Sequence, residues 1–253
     1  MKTILVIPAR YNSTRLPGKP LLPIAGKPMI QRVHECARLA GFDDIIIATD
    51  DERIREVCST FSADVCMTSP HHETGSDRLA EVVSMRGFDD EDIIVNLQGD
   101  EPLTPAANLH QVAENLIAHP EAMIATLCTP IMTDEEYTDP NVVMVVKDHV
   151  GMAMYFSRAQ IPYQRDQDFE TSEFANRHIG IYAYRAKYLR DFVNMESCQL
   201  EQLEKLEQLR AMWYGTRIHV AEAQEVPGGG VDTAEDLAAV ERVFLARQAG
   251  LQE

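Results

Sequence analysis

The sequence predicts a doubly wound α/β fold built around a mostly parallel sheet. Short, continuous apolar runs of the length of a strand recur through the chain, as expected for strands that are buried on both faces. Amphipathic helical patterns separate these runs, and such alternation is typical of βαβ units. Polar residues follow several of the runs, at the sheet edge where such folds bind ligands. At 253 residues, the chain can bury a core without metals or disulfides.

The first half of the chain alternates regularly between the two kinds of element. The predicted strands cover residues 3–9, 44–50, 63–69 and 92–100. The predicted helices cover residues 28–41, 50–61 and 74–85. Gly41 is a suitable C-cap for the first helix, and Thr74 or Ser76 a suitable N-cap for the third. This half therefore predicts successive βα units.

The second half departs from this pattern. Further strands are predicted at residues 123–130, 142–148, 152–163, 177–185 and 217–224. Further helices are predicted at residues 188–195, 198–215 and 233–248. Leucines recur every third residue from Leu200 to Leu209, a spacing that indicates core or a subunit interface. Thr233 and Asp236 predict a capped start for the last helix. We therefore expect one domain, 1–253, with an insertion at roughly 130–212.

Charge and cysteine content exclude several classes of protein. Lys and Arg number 23 against 40 Asp and Glu, a formal net charge of −17, which disfavours nucleic acid and anionic membranes as partners. No apolar run approaches the ~20 residues of a membrane span, and no signal-peptide pattern occurs. The five cysteines lack CxxC spacing, so we expect reduced thiols in a cytoplasmic protein.

The segment PARYNSTRLPGKP, residues 8–20, concentrates cations in this acidic chain. Arg10, Arg15 and Lys19 follow the first strand and are interleaved with Ser13, Thr14 and Gly18. A glycine-containing loop can bring backbone N–H groups close to phosphate oxygens while cations neutralise their charge. The segment matches neither the P-loop nor the GxGxxG pattern. The alternative is a solvated basic loop without a ligand.

Two carboxylates are candidates for a cation site. Asp100 ends the strand NLQGD, and Asp232 precedes the last helix. Mg²⁺ prefers one or two carboxylates together with substrate phosphates, so two acids that meet at one sheet edge would suit it. The alternative is that both are cap or turn residues. His178 opens a predicted strand and by itself indicates only a structural role. No GxSxG motif or metal-binding histidine spacing occurs, so covalent catalysis has no support.

Taken together, the motifs resemble the 3-deoxy-manno-octulosonate (Kdo) cytidylyltransferases from residue 4 to about residue 243. These motifs are PARYNSTRLPGKPL, GKPMIQRV, ATDD, TGSDRLAEV, NLQGDEP, YFSRAQIP, RHIGIYAYR, LEKLEQLR, WYG and VPGGGVDTAEDL. The resemblance implies a nucleotidyltransferase fold whose inserted α+β subdomain binds the sugar and forms a homodimer. It also implies the reaction: CTP and Kdo give CMP-Kdo and pyrophosphate for lipopolysaccharide synthesis, with Mg²⁺ as cofactor.

The resemblance assigns roles to individual positions. The implied catalytic residues are Arg10, Lys19, Gln98 and Asp100. The implied nucleotide-binding residues are Pro8, Ala9, Arg10, Arg15, Lys19, Gly75, Ser76 and Arg78. Of these, Arg10, Arg15 and Lys19 are implied to hold the phosphates, and the other five to surround cytosine and ribose. The implied sugar-binding residues are Gln98, Arg158, His178, Tyr182, Glu207 and Gln208. Asp100 and Asp232 are the implied Mg²⁺ ligands.

Several alternatives stay open at this point. The acidic segment 166–176 matches no motif of the family, and it would suit a sugar with an amine, such as 8-amino-Kdo. The rival functions are a nucleotidyltransferase for a different sugar and a catalytically silent nucleotide-binding regulator. The sequence names no residue that removes the proton from the anomeric hydroxyl; a bound metal can suffice by lowering its pKa.

Overall fold

A computed structural model describes residues 1–12, 15–42, 44–72, 74–166 and 170–250. The strands are β1 Thr3–Ala9, β2 Pro23–Ile24, β3 Lys27–Pro28, β4 Asp44–Thr49, β5 Asp64–Met67, β6 Ile93–Asn96, β7 Ile124–Pro130, β8 Met144–Lys147, β9 Ala153–Ser157, β10 Asn176–Arg185 and β11 Ile218–Glu222. The helices are α1 Met29–Leu39, α2 Glu52–Ser59, α3 Gly75–Arg86, α4 Ala106–Ala118, α5 Asp134–Thr138, α6 Thr171–Phe174, α7 Ala186–Phe192, α8 Gln199–Glu204, α9 Gln208–Trp213 and α10 Ala234–Gln248. A short 3₁₀ turn covers Lys19–Leu21.

The main sheet is mixed but mostly parallel along its path. Its strand order within the described residues is β11-β7-β10-β6-β1-β4-β5, and the β8/β9 hairpin joins through β10. β6, β1, β4 and β5 pair in parallel, and so do β7 and β11. β10 runs antiparallel between β6 and β7. The predicted doubly wound α/β fold is confirmed.

Buried apolar residues cover both faces of the sheet. On β1, Leu5 and Ile7 belong to the cluster that includes α1 and α4, while Ile4 and Val6 belong to the cluster that includes α3 and α7. Successive side chains of a strand point to opposite faces, so a strand covered on both sides must be apolar throughout. The run KTILVI at the start of the chain satisfies this requirement.

The predicted single helix over residues 198–215 is wrong. Lys205 adopts a left-handed conformation, with φ of 56°, and ends α8; α9 begins three residues later. A left-handed residue of this kind is a common helix terminator. The change of direction buries Leu206 and Leu209 but leaves Leu203 72% exposed, so the leucines do not form one stripe.

The predicted insertion at 130–212 includes β10, which lies in the centre of the main sheet. Its remaining parts are the β8/β9 hairpin and four short helices, α5, α6, α8 and α9, together with α7. The bounds of the insertion stay a prediction. Of the helices described, none combines the length and the apolar character that crossing a membrane requires.

Candidate active site

Three loops meet at the carboxyl ends of β1 and β6. A Cβ atom on Gly99 would lie 2.7 Å from the carbonyl oxygen of Pro8, so only glycine allows the β1 and β6 loops to approach this closely. The third loop precedes α10, and its Val231 N–H donates to the carbonyl oxygen of Asp100 at 2.9 Å. Contacts between backbones therefore bring segments that are distant in sequence to one place.

Lys19 joins the two candidate metal ligands. Its Nζ donates to Asp100 Oδ2 at 2.6 Å, to the Val231 carbonyl oxygen at 2.6 Å and to Asp232 Oδ1 at 3.2 Å. The Arg15 guanidinium lies 3.3 Å from the same Asp232 oxygen. The structure thus brings together two of the three predicted cations and both carboxylates.

The loop that carries these cations is closed by a glycine turn. Gly18 has a φ of +68°, and its N–H donates to the carbonyl oxygen of Tyr11 at 3.1 Å. The guanidinium of Arg53 stacks on the Tyr11 ring at 3.3 Å from its centre. These contacts hold the two ends of the loop; its Ser13 and Thr14 lie outside the described residues.

A polar cleft of about 370 Å³ opens above these loops. Its lining residues are Pro8, Ala9, Arg10, Asn12, Arg15, Lys19, Pro20, Gly75, Arg78, Gln98, Gly99, Asp100 and Asp232. Every predicted nucleotide-binding residue except Ser76 is among them. Residues three apart share a helix face whereas adjacent residues do not, so Gly75 and Arg78 reach the cleft while Ser76 turns away from it.

Arg78 places a buried cation at the cleft wall. Its guanidinium donates to the Thr68 hydroxyl and lies 3.4 Å from Asp50 Oδ1. Burial lowers the pKa of Arg78, and the positive charge of Arg10 lowers it further, while Asp50 acts in the opposite direction. The cleft is therefore an electropositive region in a strongly acidic protein.

A second cavity of about 140 Å³ adjoins the first and shares Gly75 and Gln98 with it. Its other lining residues are Ser76, Asn96, Ile124, Tyr182, Tyr184, Tyr188, Phe192, Glu207 and Gln208. Four predicted sugar-binding residues, Gln98, Tyr182, Glu207 and Gln208, are thus brought together here. The predictions missed Asn96 and Tyr184, although the period-2 alternation of β10 puts Tyr184 on the same face as Tyr182.

Glu207 is the acidic group of the second cavity. Its side chain lies beside Ser76 and Thr74 at the start of α3, and both residues act to lower its pKa. Desolvation nevertheless raises the pKa of Glu207 above its ordinary value. Burial also raises the pKa of Tyr182 and of Tyr184, and the Glu207 charge adds to both shifts. The tyrosines therefore act as neutral hydrogen-bonding groups.

The remaining two predicted sugar-binding residues, Arg158 and His178, are not among the described residues that line the second cavity. His178 Nε2 lies 3.0 Å from Thr126 Oγ1, and burial lowers the pKa of His178 to about 3, so its ring is neutral. Arg158 donates to the carbonyl oxygens of Glu204 at 2.9 Å and Asn141 at 3.3 Å. Backbone carbonyl oxygens thus accept hydrogen bonds from the Arg158 guanidinium in place of a sugar. The sugar-binding roles of Arg158 and His178 stay predictions.

The donor set fits Mg²⁺. Asp100 and Asp232 already converge on one cation, the Lys19 ammonium group. Within the part of the chain that the structure describes, no three His, Cys, Asp or Glu side chains cluster as a metal site. Two carboxylates suffice for Mg²⁺, which takes its remaining ligands from water and substrate phosphates.

Burial, followed by the charge of Asp100, raises the pKa of the adjacent Glu101 to about 7.

Comparisons with known proteins agree with this geometry. A family model described as cytidylyltransferase matches residues 4–218. A 3-deoxy-manno-octulosonate cytidylyltransferase of Thioalkalivibrio sulfidiphilus is 55% identical over 246 residues, which is 96% of this chain and 98% of that protein. The chain belongs to the 3-deoxy-manno-octulosonate cytidylyltransferase family. The resemblance noted from the motifs is thereby confirmed.

Other members of the Kdo cytidylyltransferase family, and solved structures, extend the comparison. The enzyme of that name from Vibrio vulnificus is 53% identical over 251 residues, covering 98% of this chain and 100% of that protein. A solved CMP:2-keto-3-deoxy-manno-octonic acid synthetase complexed with CTP superimposes with a TM-score of 0.91 at 40% identity, covering 98% of this chain and 100% of that one. A cytidylyltransferase from Leptospira borgpetersenii, at 16% identity and a TM-score of 0.61, shares the fold.

Proposed function

We propose that this chain transfers the CMP group of CTP to the anomeric hydroxyl of Kdo or a close analogue, releasing pyrophosphate for lipopolysaccharide synthesis. The observation that carries the proposal is the pair of adjoining cavities that share Gly75 and Gln98. One cavity is lined by cations and carboxylates, and the other by neutral and acidic hydrogen-bonding groups. A triphosphate suits the first and a polyhydroxylated sugar the second, so the two substrates would meet beside Gln98.

The cations of the cleft supply charge stabilisation. Arg10, Arg15 and Lys19 line the cleft on the same loop, so their charges add at one place. As CTP enters, its phosphate oxygens replace carboxylate oxygens as acceptors for Lys19. Charge that builds up on the leaving pyrophosphate then faces donors that are already in position, the arrangement that lowers barriers most effectively.

Asp100 and Asp232 are the residues that would hold Mg²⁺. The ion would offset the phosphate charge and lower the pKa of a hydroxyl bound to it. Gln98 lines both cavities and has neutral donor and acceptor groups, so it can orient the sugar without competing for the ion.

The second cavity selects the sugar. Tyr182, Glu207 and Gln208 provide acceptors and donors for hydroxyl groups, and Tyr188 and Phe192 add aromatic surface to its wall. Arg158 and His178 belong to the proposed sugar site through the family resemblance. Their present contacts would have to change for a direct contact with the sugar in this cavity.

We further propose a homodimer in the cytoplasm. The exposed apolar side chains Met154, Leu203 and Trp213, which are 62%, 72% and 60% exposed, all lie in or directly beside the predicted insertion. The family resemblance implies that this insertion forms the dimer interface, and exposed apolar side chains there would suit that role. All five cysteines are free thiols, which suits a reducing compartment.

Pyrophosphate release with CTP and Mg²⁺ tests the proposal. The assay compares Kdo, 8-amino-Kdo and sialic acid with a control that contains no sugar. Release with Kdo or its amine supports the reaction. CTP binding without release from any sugar would favour the silent regulator instead.

The ratio of kcat/KM for the two Kdo sugars tests the role of the acidic segment. Residues 167–169 of that segment lie outside the described residues. The neighbouring Glu170 lines a depression of about 470 Å³ together with Asp134 and Tyr163. A preference for the amine would support an acidic contact with the end of the sugar; equal values, or a preference for Kdo, would remove the support for it.

A further inference from the structure

A polar row interrupts one apolar face of the main sheet. The register pairs Val220 with Thr126, Thr126 with Tyr182, Tyr182 with Asn96, and Asn96 with Val6. Directly paired residues of neighbouring strands point to the same face. The face that carries this row is otherwise built from apolar side chains such as Ile4 and Ile94. Three adjacent polar groups in such a face require an explanation.

The fold accounts for Thr126, one of these three residues. Its hydroxyl lies 2.9 Å from the carbonyl oxygen of Ile179 and 2.8 Å from that of Ile181, in the irregular part of β10. The hydroxyl hydrogen of Thr126 is therefore used by backbone carbonyl oxygens beside the register shift of β10.

The fold does not account for Asn96. The residue is 2% exposed and lines the second cavity, yet its side-chain Oδ1 has no hydrogen-bond partner among the described residues. Asn96 and Ser76 both lie close enough to the Tyr184 hydroxyl to lower its pKa, against the larger opposite effect of burial. An unsatisfied carbonyl in a buried position lowers stability, so its presence at a cavity wall points to a ligand as its partner.

We propose that Asn96 is a specificity-determining residue of the sugar site, whose side-chain carbonyl accepts a hydrogen bond from a hydroxyl group of the bound sugar acid. This inference rests on the proposed function. The position is suitable because Asn96 ends β6 two residues before Gln98, which lies on both cavities.

The test compares Asn96→Leu with Asn115→Leu. Asn115, on α4, is a matched control because its side chain also has a buried, unpartnered atom, Nδ2, but lies outside both cavities. We expect Asn96→Leu to raise the KM for Kdo at least tenfold and to change the KM for CTP less than twofold. Asn115→Leu should leave both KM values within twofold of the wild type.

Monodeoxy analogues of Kdo identify the hydroxyl group. The wild type should lose efficiency with the analogue that lacks the bonded hydroxyl, whereas Asn96→Leu should use that analogue and Kdo equally well. Equal KM values for Kdo in the wild type and Asn96→Leu would overturn the inference. It would also be overturned if no monodeoxy analogue lost efficiency with the wild type alone.

The outcome for Asn96 can be separated from that for the reaction. A wild type that releases no pyrophosphate with any sugar acid refutes the proposed function itself. A wild type active with Kdo and an Asn96→Leu variant with unchanged kinetics refute only the role of Asn96. If Asn96→Leu does not bind CTP, and so has lost its fold, Asn96→Ser replaces it and is judged by the same KM ratio.

Discussion

Lys19→Met should separate the catalytic role of the cleft cations from any role in folding. The Lys19 ammonium group makes three hydrogen bonds, two of them at 2.6 Å, and its side chain is only 12% exposed. Methionine keeps the length and apolar stem but lacks the charge. Loss of one preorganised donor to developing negative charge typically costs about 10²- to 10³-fold in rate, or about 3–4 kcal/mol. We expect kcat/KM for CTP to fall by that factor.

The expected effect on stability is much smaller. The partners of Lys19, Asp100 and Asp232, are 36% and 55% exposed, so water can solvate both carboxylates when the ammonium group is removed. Ion pairs at such sites contribute about 0–1 kcal/mol. The melting temperature should therefore change by only a few degrees.

The assay is steady-state pyrophosphate release at saturating Kdo, with thermal unfolding measured on the same preparations. Lys27→Met is the matched control, because Lys27 also contacts a carboxylate, Glu35 at 2.5 Å, but lies outside the cleft. The control should keep kcat/KM within twofold of the wild type. A Lys19→Met variant whose kcat/KM for CTP is within threefold of the wild-type value would refute the catalytic role. A large decrease in its melting temperature would show that Lys19 acts mainly in folding.

Three further predictions concern the supporting structure. Gly228→Ala should lower kcat about ten- to a hundredfold, because the added Cβ would lie 2.7 Å from Leu103 Cβ and displace the loop before α10. Gly229→Ala is the control, because a Cβ at that position meets no other atom within 4 Å. Equal kcat values for the two variants would contradict this prediction. Burial lowers the pKa of His219 to about 4, so stability should be full above pH 6.5 and fall by about 3 kcal/mol as pH drops towards 4. In urea unfolding, His219→Gln should reduce this loss of stability at low pH, whereas the control His149→Gln, at an exposed position, should not. An unchanged pH dependence of stability in His219→Gln would argue against the role of His219. Thr233→Ala removes the cap of α10 and should cost about 1 kcal/mol in the same assay, while no change would show that water replaces the cap.

The sequence predicted those parts of the fold that depend on local patterns. Continuous apolar runs identified β1, β4 and β6, because strands buried on both faces need apolar side chains throughout. The strand pattern of β10 was equally clear, but pairing partners depend on contacts between distant segments, so its antiparallel place between β6 and β7 was not predicted. The break at Lys205 was missed because leucine spacing continues across it.

The candidate site divides in the same way. Residues next to strand ends, such as Lys19 and Asp100, were predicted by position and resemblance, and the structure brings them into contact. Tyr184 was missed, although alternation along β10 from Tyr182 was available as a signal. Asn96 was missed because it lies inside the predicted strand 92–100, where one polar residue does not indicate a ligand; the register and the cavity lining show its place.

The distribution of charge explains why an acidic protein concentrates cations in one loop. A net charge of −17 repels a nucleotide triphosphate at long range, so affinity must come from groups close to the phosphates. The opening loop supplies Arg10, Arg15 and Lys19, and two of them face carboxylates in the structure described here. Asp232 and Asp100 pair with these cations, and phosphates bound together with a divalent cation would satisfy both sets of charges at once. Cations and carboxylates are thus parts of one site, in which the charges of one set balance those of the other.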